Sequence, residues 1–264
     1  MGIVNVTPDS FSDGGQYVDA GAAIRHAKAL IAEGAEIIDI GGESTRPRAL
    51  AVSLKEELRR VMPVIEGLAG EVSVPISIDT VKPEVAHAAL AAGAAIVNDV
   101  AANRSEPAMW ETVAAAGAGY ICVHMQGTPP TMQTEPQYVD VVSEVMGFFR
   151  DRLERLRACG VSHEQVVLDP GIGFGKNLDH NLQLLGALGT LVGLGQPLCL
   201  GVSRKSFISR LLGLDLQHRL APGLACACLA VEAGVHMLRV HDVVDTVNAV
   251  RMTEAIVAKR SVTC

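Results

Sequence analysis

The sequence predicts an α/β fold with a single domain, a (β/α)8 or TIM barrel that covers residues 1–264. Short apolar runs alternate with amphipathic segments of helix length, and each kind of segment occurs eight times. A length of 264 residues matches the roughly 250 that such a barrel needs and leaves no room for a second large domain. Because 49% of the residues are hydrophobic but only 3% are aromatic, we expect a core of Ala, Val, Leu and Ile.

The apolar runs are interpreted as eight parallel strands, since a helix-length segment separates each run from the next. In chain order they cover residues 3–6, 36–40, 74–78, 95–97, 120–123, 166–168, 198–202 and 237–240. The carboxyl ends of barrel strands meet at one face, where the active sites of such enzymes lie. The polar residues at these ends are Asn5, Asp39 with Glu43, Asp79, Asn98 with Asp99, His124, Asp169, Arg204 with Lys205, and Arg239 with His241. This ring of reactive groups predicts an enzyme.

The helices are predicted from apolar periodicity and from their start and stop signals. They cover residues 20–32, 54–68, 83–92, 107–116, 138–158, 178–188, 222–233 and 243–258. Several begin with proline and several are followed by glycine, which is the preferred chemistry of helix ends. The longest loops follow strands, at residues 7–16, 43–53 and 125–137, and loops of this kind on a barrel's catalytic face are typically lids or substrate clamps.

The charge and cysteine content exclude several classes of protein. A formal net charge of −7 disfavours binding to nucleic acid or to an anionic membrane surface. The six cysteines show no CxxC spacing, and Cys122 and Cys199 lie within apolar runs, so we expect core thiols of a reducing compartment. Because no apolar run reaches the roughly 20 residues that span a bilayer, we expect a soluble, cytoplasmic protein.

Asp79, Asn98 and Asp169 end three of the strands and indicate a site for a flat heterocycle. A carboxylate accepts two parallel hydrogen bonds, as a 2-amino-4-oxopyrimidine edge would donate them, and an amide both donates and accepts. The alternative for either aspartate alone, a cap on the following helix, has about even weight. The asparagine at the matching position of the fourth strand favours the site.

Lys205, Arg239 and His241 lie at the ends of the last two strands, where barrels commonly bind phosphate. A helix that begins at Ser206 would also favour an anion there. Solvated surface cations are the alternative, and a structural role remains as plausible as a catalytic one for His241.

Asn5 and Asp13 flank the segment VTPDSFSDGG and could supply two oxygen ligands for Mg2+, which usually takes its other ligands from substrate phosphates and water. The glycine-rich stretch GIGFGK lacks the spacing of a phosphate-binding loop, so a tight turn is the preferred interpretation there.

Eight segments, taken together, resemble the dihydropteroate synthase family, and they cover essentially the whole chain in order. They are MGIVNVTPDSFSDGG, DIGGESTRP, SIDTVKPEV, VNDV, HMQGTP, LDPGIGFGKNLDHN, GVSRKSF and RVHDV. The resemblance implies a Mg2+-dependent transferase of folate biosynthesis. Such an enzyme condenses (7,8-dihydropterin-6-yl)methyl diphosphate with 4-aminobenzoate to give 7,8-dihydropteroate and diphosphate.

The resemblance also implies roles for individual residues. The implied catalytic groups are Asp79, Lys205, Arg239 and His241. The implied pterin pocket comprises Asp79, Asn98, Met125, Asp169, Phe174, Gly201, Lys205 and Arg239. The diphosphate site comprises Thr45, Arg46, Arg239 and His241, and the aminobenzoate site comprises Phe11, Pro47, Lys205 and Ser206. Asn5 and Asp13 are the implied metal ligands.

Further expectations follow from the same family. Its members are generally homodimers through late helices, and GVSRKSF lacks the insertion of sulfonamide-insensitive relatives, so we expect sulfonamide inhibitors to bind. The sequence departs from the family in two ways: it begins at the strand that follows the usual N-terminal hairpin, so we expect a barrel without that hairpin, and Arg48 replaces a common glycine.

Three rival functions fit parts of the pattern. The pterin-binding module of a corrinoid methyltransferase would share Asp79, Asn98 and Asp169 but does not account for TPDSFSDGG and SRKS together. A non-catalytic pterin-binding paralogue would have lost loop residues that are present here. An unrelated phosphate-binding barrel enzyme fits the fold alone.

Overall fold

The computed structural model describes residues 1–7, 19–44, 50–102, 106–128 and 131–260. Its eight strands lie within two residues of the predicted runs at each end. In chain order they are β1 Gly2–Asn5, β2 Ile38–Gly41, β3 Ile76–Asp79, β4 Ile96–Asp99, β5 Gly119–Val123, β6 Val166–Asp169, β7 Cys199–Gly201 and β8 Met237–Arg239.

The strands are parallel and follow one another in sequence order around the barrel. β1 to β6 form one sheet and β7 pairs with β8 in a second. Two parallel bridges, Leu168 with Leu198 and Gly2 with Val240, join these sheets at both edges. At the second edge Ile3 N–H donates to the Val240 carbonyl oxygen at 3.0 Å, so hydrogen bonding runs from β8 back to β1. The predicted barrel is thus confirmed.

Ten helices within the described ranges surround the strands. They are α1 Ala20–Ala32, α2 Leu54–Leu68, α3 Pro83–Ala91, α4 Ala108–Ala116, α5 Val141–Ala158, α6 Leu178–Gly186, α7 Leu188–Val192, α8 Ser206–Leu212, α9 Leu220–Glu232 and α10 Val243–Arg260. The predictions for α1 and α2 match to the residue.

Two helix predictions need correction. The segment 178–188 was expected to be one helix, but a break at Ala187 separates α6 from α7. The helix predicted from residue 138 begins at Val141 instead, because the Asp140 carboxylate accepts hydrogen bonds from Val142 N–H at 3.0 Å and Ser143 N–H at 3.1 Å and thereby caps it.

The side chains of each strand alternate between two environments. Ile38 and Ile40 of β2 face outward into the large cluster that the helices cover. Inside the barrel, Ile121, Val123 and Cys199 form a small apolar cluster. The interior of the barrel thus contains an apolar cluster, and buried polar side chains such as Asp79 and Asn98 lie at the carboxyl ends of the strands.

Cys122 and Cys199 are buried in β5 and β7, as expected of small core thiols. No helix within the described ranges is long and apolar enough to cross a membrane.

Candidate active site

The strand register brings the predicted polar residues to one face of the barrel. Asp79 of β3 lies opposite Asn98 of β4, and Gly201 of β7 lies opposite Arg239 of β8. Asp169 ends β6, opposite Val123 of β5. Asp79, Asn98 and Asp169 are all buried. The structure thus places these groups at the carboxyl ends of their strands, at one end of the barrel, its mouth.

Arg239 lies between two carboxylates at the floor of this mouth. Its Nε donates to Asp39 Oδ2 at 2.6 Å and its Nη2 donates to Asp79 Oδ2 at 2.6 Å. Asn98 Nδ2 donates to the same oxygen of Asp39 at 3.2 Å.

The other oxygen of each carboxylate, in Asp39 and in Asp79, is available to accept a hydrogen bond from a ligand. Asp39 Oδ1 and Asp79 Oδ1 are buried and have no hydrogen-bond partner among the described residues. Buried carboxylate oxygens are normally paired, so an oxygen left without a donor at a site indicates a place where a ligand donates. Asp79 Oδ1 is such a place.

Burial raises the pKa of Asp79 to about 7; the charge of Arg239 opposes this shift and the charge of Asp39 adds to it. Burial by itself lowers the pKa of Arg239, but the charges of Asp39 and Asp79 outweigh it and raise that pKa. The single positive charge of Arg239 thus does not offset both the burial of Asp79 and the negative charge of Asp39. The pKa of Asp79 therefore lies near neutral pH.

Lys205 and Asp169 form the second charged part of the site. Burial lowers the pKa of Lys205 to about 8, against the effect of the Asp169 charge. Burial likewise raises the pKa of Asp169, which the charge of Lys205 and the N–H of Gly171 oppose. The Lys205 ammonium donates to the Ile172 carbonyl oxygen and lies 4.4 Å from the centroid of the Phe174 ring. An ammonium over an aromatic face is a favourable cation–π contact.

The segment 171–175 is a tight turn, as predicted from GIGFGK. Gly171 has φ +64° and Gly175 has φ +60°, a region that L side chains rarely adopt. A Cβ at Gly171 would lie 1.9 Å from the His124 carbonyl oxygen, and one at Gly175 would lie 2.4 Å from that of Gln126. Glycine is required because the turn packs directly on the backbone of residues 124–126.

His124 and Lys176 form a buried polar pair behind the turn. Lys176 Nζ lies 2.8 Å from His124 Nδ1 and 3.0 Å from the Phe174 carbonyl oxygen. Burial, and then the charge of Lys176, lowers the pKa of His124 well below its usual value. The ring of His124 is therefore neutral, and its contact with Lys176 is a hydrogen bond between ring nitrogen and amine.

His241 follows β8 and is half-buried beside the loop after β7. Its Nδ1 lies 3.0 Å from Ser203 Oγ, and its N–H donates to that oxygen at 3.2 Å. The neighbouring Arg204 has φ +59° and forms an ion pair with Asp242. The loop after β7 is therefore held against the residues that follow β8 by the Ser203–His241 hydrogen bonds and the Arg204–Asp242 ion pair.

The remaining predicted residues are placed as follows. Met125 is buried directly after β5, Ser206 is exposed at the start of α8, and Gly201 lies between Arg239 and Lys205, where a Cβ would be 3.9 Å from both side chains. Phe11, Asp13, Thr45, Arg46 and Pro47 lie outside the described residues.

Asn5 ends β1 half-buried at the same face and makes no side-chain hydrogen bond to another described residue. Its amide oxygen is a ligand type that Mg2+ accepts, so the residue fits the predicted metal site as one of its protein ligands. Within the described ranges no three His, Cys, Asp or Glu side chains are grouped so as to hold a metal.

Sequence analysis left Asp39, Asp99 and His124 without a role and did not single out Lys176. A charged residue inside the apolar run of β2, rather than after it, is the signal that could have identified Asp39 as an interior group. Asp99 proves structural, because its Oδ2 accepts a hydrogen bond from the buried Tyr120 hydroxyl at 2.7 Å. For Lys176 the sequence carries no signal, since a lysine after a glycine turn is normally exposed.

The arrangement can bind a flat, polar heterocycle and an anion next to it. Asp79, Asn98 and Asp169 offer acceptors and a donor on one side, and the face of Phe174 offers an aromatic surface. Arg239 and Lys205 can stabilise negative charge on a leaving group.

Comparison with known proteins agrees with this chemistry. The model of the family described as pterin binding enzyme matches residues 1–241. The chain is 49% identical to the dihydropteroate synthase of Escherichia coli strain K12 over 97% of this chain and 90% of that protein.

Two solved structures are similar over nearly the whole chain. The Yersinia pestis dihydropteroate synthase in complex with a sulfonamide drug has a TM-score of 0.92 and 45% identity, covering 98% of this chain and 94% of that one. The Xanthomonas albilineans dihydropteroate synthase with 4-aminobenzoic acid has a TM-score of 0.90 and 46% identity, covering 97% and 92%.

Proposed function

The chain belongs to the pterin binding enzyme family, and from that premise we propose that it is a dihydropteroate synthase. It condenses (7,8-dihydropterin-6-yl)methyl diphosphate with 4-aminobenzoate and yields 7,8-dihydropteroate and diphosphate. The observation that carries this function is the set of buried Asp79, Asn98 and Asp169 beside Lys205 and Arg239 at one barrel mouth. Neither a corrinoid methyltransferase module nor an unrelated barrel enzyme accounts equally well for the near full-length similarity to synthases.

We propose that the pterin lies between Met125 and Phe174 with its pyrimidine edge toward the carboxylates. Asp169 and Asp79 Oδ1 accept its N–H donors, and Asn98 reads the neighbouring position. Gly201 allows the ring to approach the backbone of β7, because it has no side chain there. Lys205, above Phe174, binds the ring's acceptor atoms and adds positive charge on the diphosphate side.

The diphosphate lies toward Arg239 and His241, together with Thr45 and Arg46. Its departure breaks the bond between the pterin methylene carbon and the ester oxygen, and the ring delocalises the resulting cation. Asp79, in its ionised form, stabilises that positive charge. The amine of 4-aminobenzoate then forms the new C–N bond and loses one proton, which restores a neutral amine.

The second substrate binds last, against Lys205 and Ser206 together with Phe11 and Pro47. Sulfonamides carry an aniline group like that of 4-aminobenzoate, so we propose that they compete for the same pocket. The Yersinia pestis relative solved with a sulfonamide drug supports this proposal.

We propose Asn5 and Asp13 as the protein ligands of Mg2+. When bound, the ion neutralises charge on the diphosphate and assists its departure. Asn5 supports this role because its amide lies at the strand-end face and has no competing described partner.

We further propose a cytoplasmic homodimer that associates through α9 and α10. Leu229 of α9 and Met252 and Ile256 of α10 are large apolar side chains that are exposed in the isolated chain. Met252 and Ile256 lie one turn apart and hence on the same face of α10. Free buried thiols such as Cys122 support the reducing compartment.

The direct test combines the dihydropterin diphosphate, 4-aminobenzoate and Mg2+ and measures dihydropteroate by chromatography. We expect product with wild type and none when Mg2+ is chelated. Lys205→Ala should lower kcat/KM by about a hundredfold or more, because charge stabilisation at the reacting centre is lost, with an unchanged circular dichroism spectrum. Lys28→Ala, which removes only an exposed ion pair with Glu71, is the control. Absence of product with wild type would overturn the function.

A further inference from the structure

Lys176 is a fully buried cationic side chain that the proposed reaction does not use. It is 0% exposed, although it directly follows the glycine turn after β6. Its amine lies 3.0 Å from the Phe174 carbonyl oxygen, 2.8 Å from His124 Nδ1 and 3.4 Å from the His124 carbonyl oxygen. All of its near contacts are therefore uncharged acceptors, and a buried lysine placed so usually has a specific task.

The two segments that Lys176 connects are the two sides of the pterin pocket. His124 directly precedes Met125 after β5, and Phe174 lies in the turn after β6. The Lys176 amine thus hydrogen-bonds the carbonyl oxygen of His124, the neighbour of Met125, and the carbonyl oxygen of Phe174. The backbone at Gly171 and Gly175 also packs closely on the backbone of residues 124–126, so the two segments are in direct contact.

The carbonyl oxygens of the turn are held one after another by side chains from different parts of the fold. The donors are Lys205 for Ile172, Gln133 Nε2 at 2.6 Å for Gly173, Lys176 at 3.0 Å for Phe174 and the Tyr138 hydroxyl at 2.9 Å for Gly175. Lys176 is the member of this series that also hydrogen-bonds His124, while Tyr138 adds a ring contact to His124 at 6.1 Å between centroids. Lys176 therefore links the turn to the segment after β5 by hydrogen bonds.

The charge of Lys205 also acts on Lys176. Burial, and then the charge of Lys205, lowers the pKa of Lys176 well below its usual value. This shift agrees with its direct contacts, because the carbonyl oxygens of His124 and Phe174 and the ring nitrogen of His124 carry no negative charge.

We propose that Lys176 is a positioning residue that sets the separation of Met125 and Phe174 and thereby adapts the pocket to the thickness of a flat pterin ring. The inference rests on the proposed function, because it takes these two side chains as the pocket walls. Lys176 itself does not touch the substrate. It acts by fixing the Phe174 carbonyl against His124.

The test replaces Lys176 by methionine, which has similar length but no donor, so that the Phe174 carbonyl loses its partner. We expect the Kd for the dihydropterin diphosphate, measured with Mg2+ by pterin fluorescence, to rise by about tenfold, the typical effect of one lost buried hydrogen bond. The KM for the same substrate should rise in parallel. The KM for 4-aminobenzoate should stay within about twofold and kcat within about threefold, because the second pocket and the reacting groups are unchanged.

Lys28→Met is the matched control, since it makes the same substitution at an exposed ion pair, and it should leave all four constants unchanged. His124→Phe provides a second variant in case Lys176→Met does not fold. It removes the ring nitrogen but keeps the backbone oxygen and the edge contact with Phe148, so we expect a smaller rise in the pterin Kd, about threefold.

In the double variant the two losses should not add, because both break one link. Pterin binding within twofold of wild type in folded Lys176→Met, or an equal loss of affinity for both substrates, would overturn the inference. If wild type neither binds the pterin nor forms dihydropteroate, the proposed function fails first, and the two failures are thus distinguishable.

Discussion

At the scale of single residues, Asp39 shows how an interior charge controls the site. Its carboxylate accepts hydrogen bonds from Arg239 at 2.6 Å and from Asn98 at 3.2 Å and is 0% exposed. It therefore fixes the orientation of two groups at the floor of the mouth while it raises the pKa of Asp79, which burial has already raised. Asp39 can thus influence pterin binding through Asp79 and Arg239.

Replacement of Asp39 by asparagine tests this influence. Loss of its negative charge leaves Asp79 beside Arg239 alone, so the pKa of Asp79, about 7 in wild type, should fall. The acidic limb of kcat/KM for the pterin substrate, which reports the free enzyme, should move to lower pH by about half a unit or more. The measurement is a pH profile of kcat/KM for both proteins with the same substrate batch, so that titration of the substrate cancels.

Asp19→Asn, which removes an exposed carboxylate that pairs with Arg25, should leave that limb in place. A limb that stays fixed in Asp39→Asn, or moves to higher pH, would contradict the coupling between Asp39 and Asp79.

Sequence reasoning at this scale succeeded where a polar residue ends an apolar run. Asp79, Asn98, Asp169 and Arg239 occupy such positions and meet at one face. It failed for Lys176, because burial of a lysine depends on carbonyl oxygens that distant segments bring to it. Those oxygens belong to His124 and Phe174, and nothing in the local sequence reveals that they converge.

At the scale of elements, the turn after β6 is the most constrained connection at the mouth. Gly171 combines a positive φ of +64° with a backbone oxygen 1.9 Å from where a Cβ would lie. A side chain at Gly171 would suffer both the strain of a positive φ and a clash with His124. Comparison with Gly195, which has a positive φ but no close neighbour, separates the two effects.

Gly171→Ala should lower the free energy of unfolding by about 3 kcal/mol or more, because the turn must move off the backbone of His124. Gly195→Ala is the matched control, since Gly195 has φ +80° with no atom within 4 Å of the added Cβ. It should cost only about 1 kcal/mol, the price of a left-handed conformation for an L residue. Urea denaturation followed by circular dichroism measures both, and equal losses would contradict the clash.

Prediction of elements from sequence worked best where periodicity and end signals agree, as in α1 and α2. The break between α6 and α7 was missed because Ala187, at φ −105° and ψ 15°, is a good helix former and carries no stop signal. Tertiary packing, which buries Leu188 and Leu191 on the core, overrides the local preference there.

At the scale of the whole molecule, the alternation of strand and helix determined the barrel from sequence, but the closure of the ring depends on few bonds. Within the described ranges the two sheets are joined by single bridges, Leu168 with Leu198 and Gly2 with Val240, and a few adjoining backbone hydrogen bonds rather than by continuous ladders. The sequence does not predict which strands make short ladders, because the runs that become β7 and β8 are as apolar as the others. They are shorter in the structure, at three residues each.

The proposed homodimer gives a prediction at this scale. Met252→Glu places a charge on the exposed apolar face of α10, where Met252 is 64% exposed, and burial of that charge in an interface is unfavourable. We expect sedimentation velocity to report a dimer for wild type and a shift toward monomer for the variant, with about tenfold or greater weakening of association.

Val139→Glu is the control, because Val139 is fully exposed and precedes α5, so it belongs to neither α9 nor α10. It should remain dimeric. A wild type that sediments as a monomer at micromolar concentration would contradict the interface.

The polar floor of the mouth has a consequence for how this protein can change in evolution. Asp39, Ser77 and Asn98 are interior side chains of the barrel, and Asp39 Oδ1, Ser77 Oγ and Asp79 Oδ1 are buried without partners among the described residues. The layer that we propose for substrate recognition thus lies in the barrel interior with unpaired polar atoms, which costs stability. Mutations that stabilise the barrel by making this layer apolar would remove substrate recognition with it. We therefore expect Asp39, Asp79 and Asn98 to vary less among functional variants than the exposed faces of the helices.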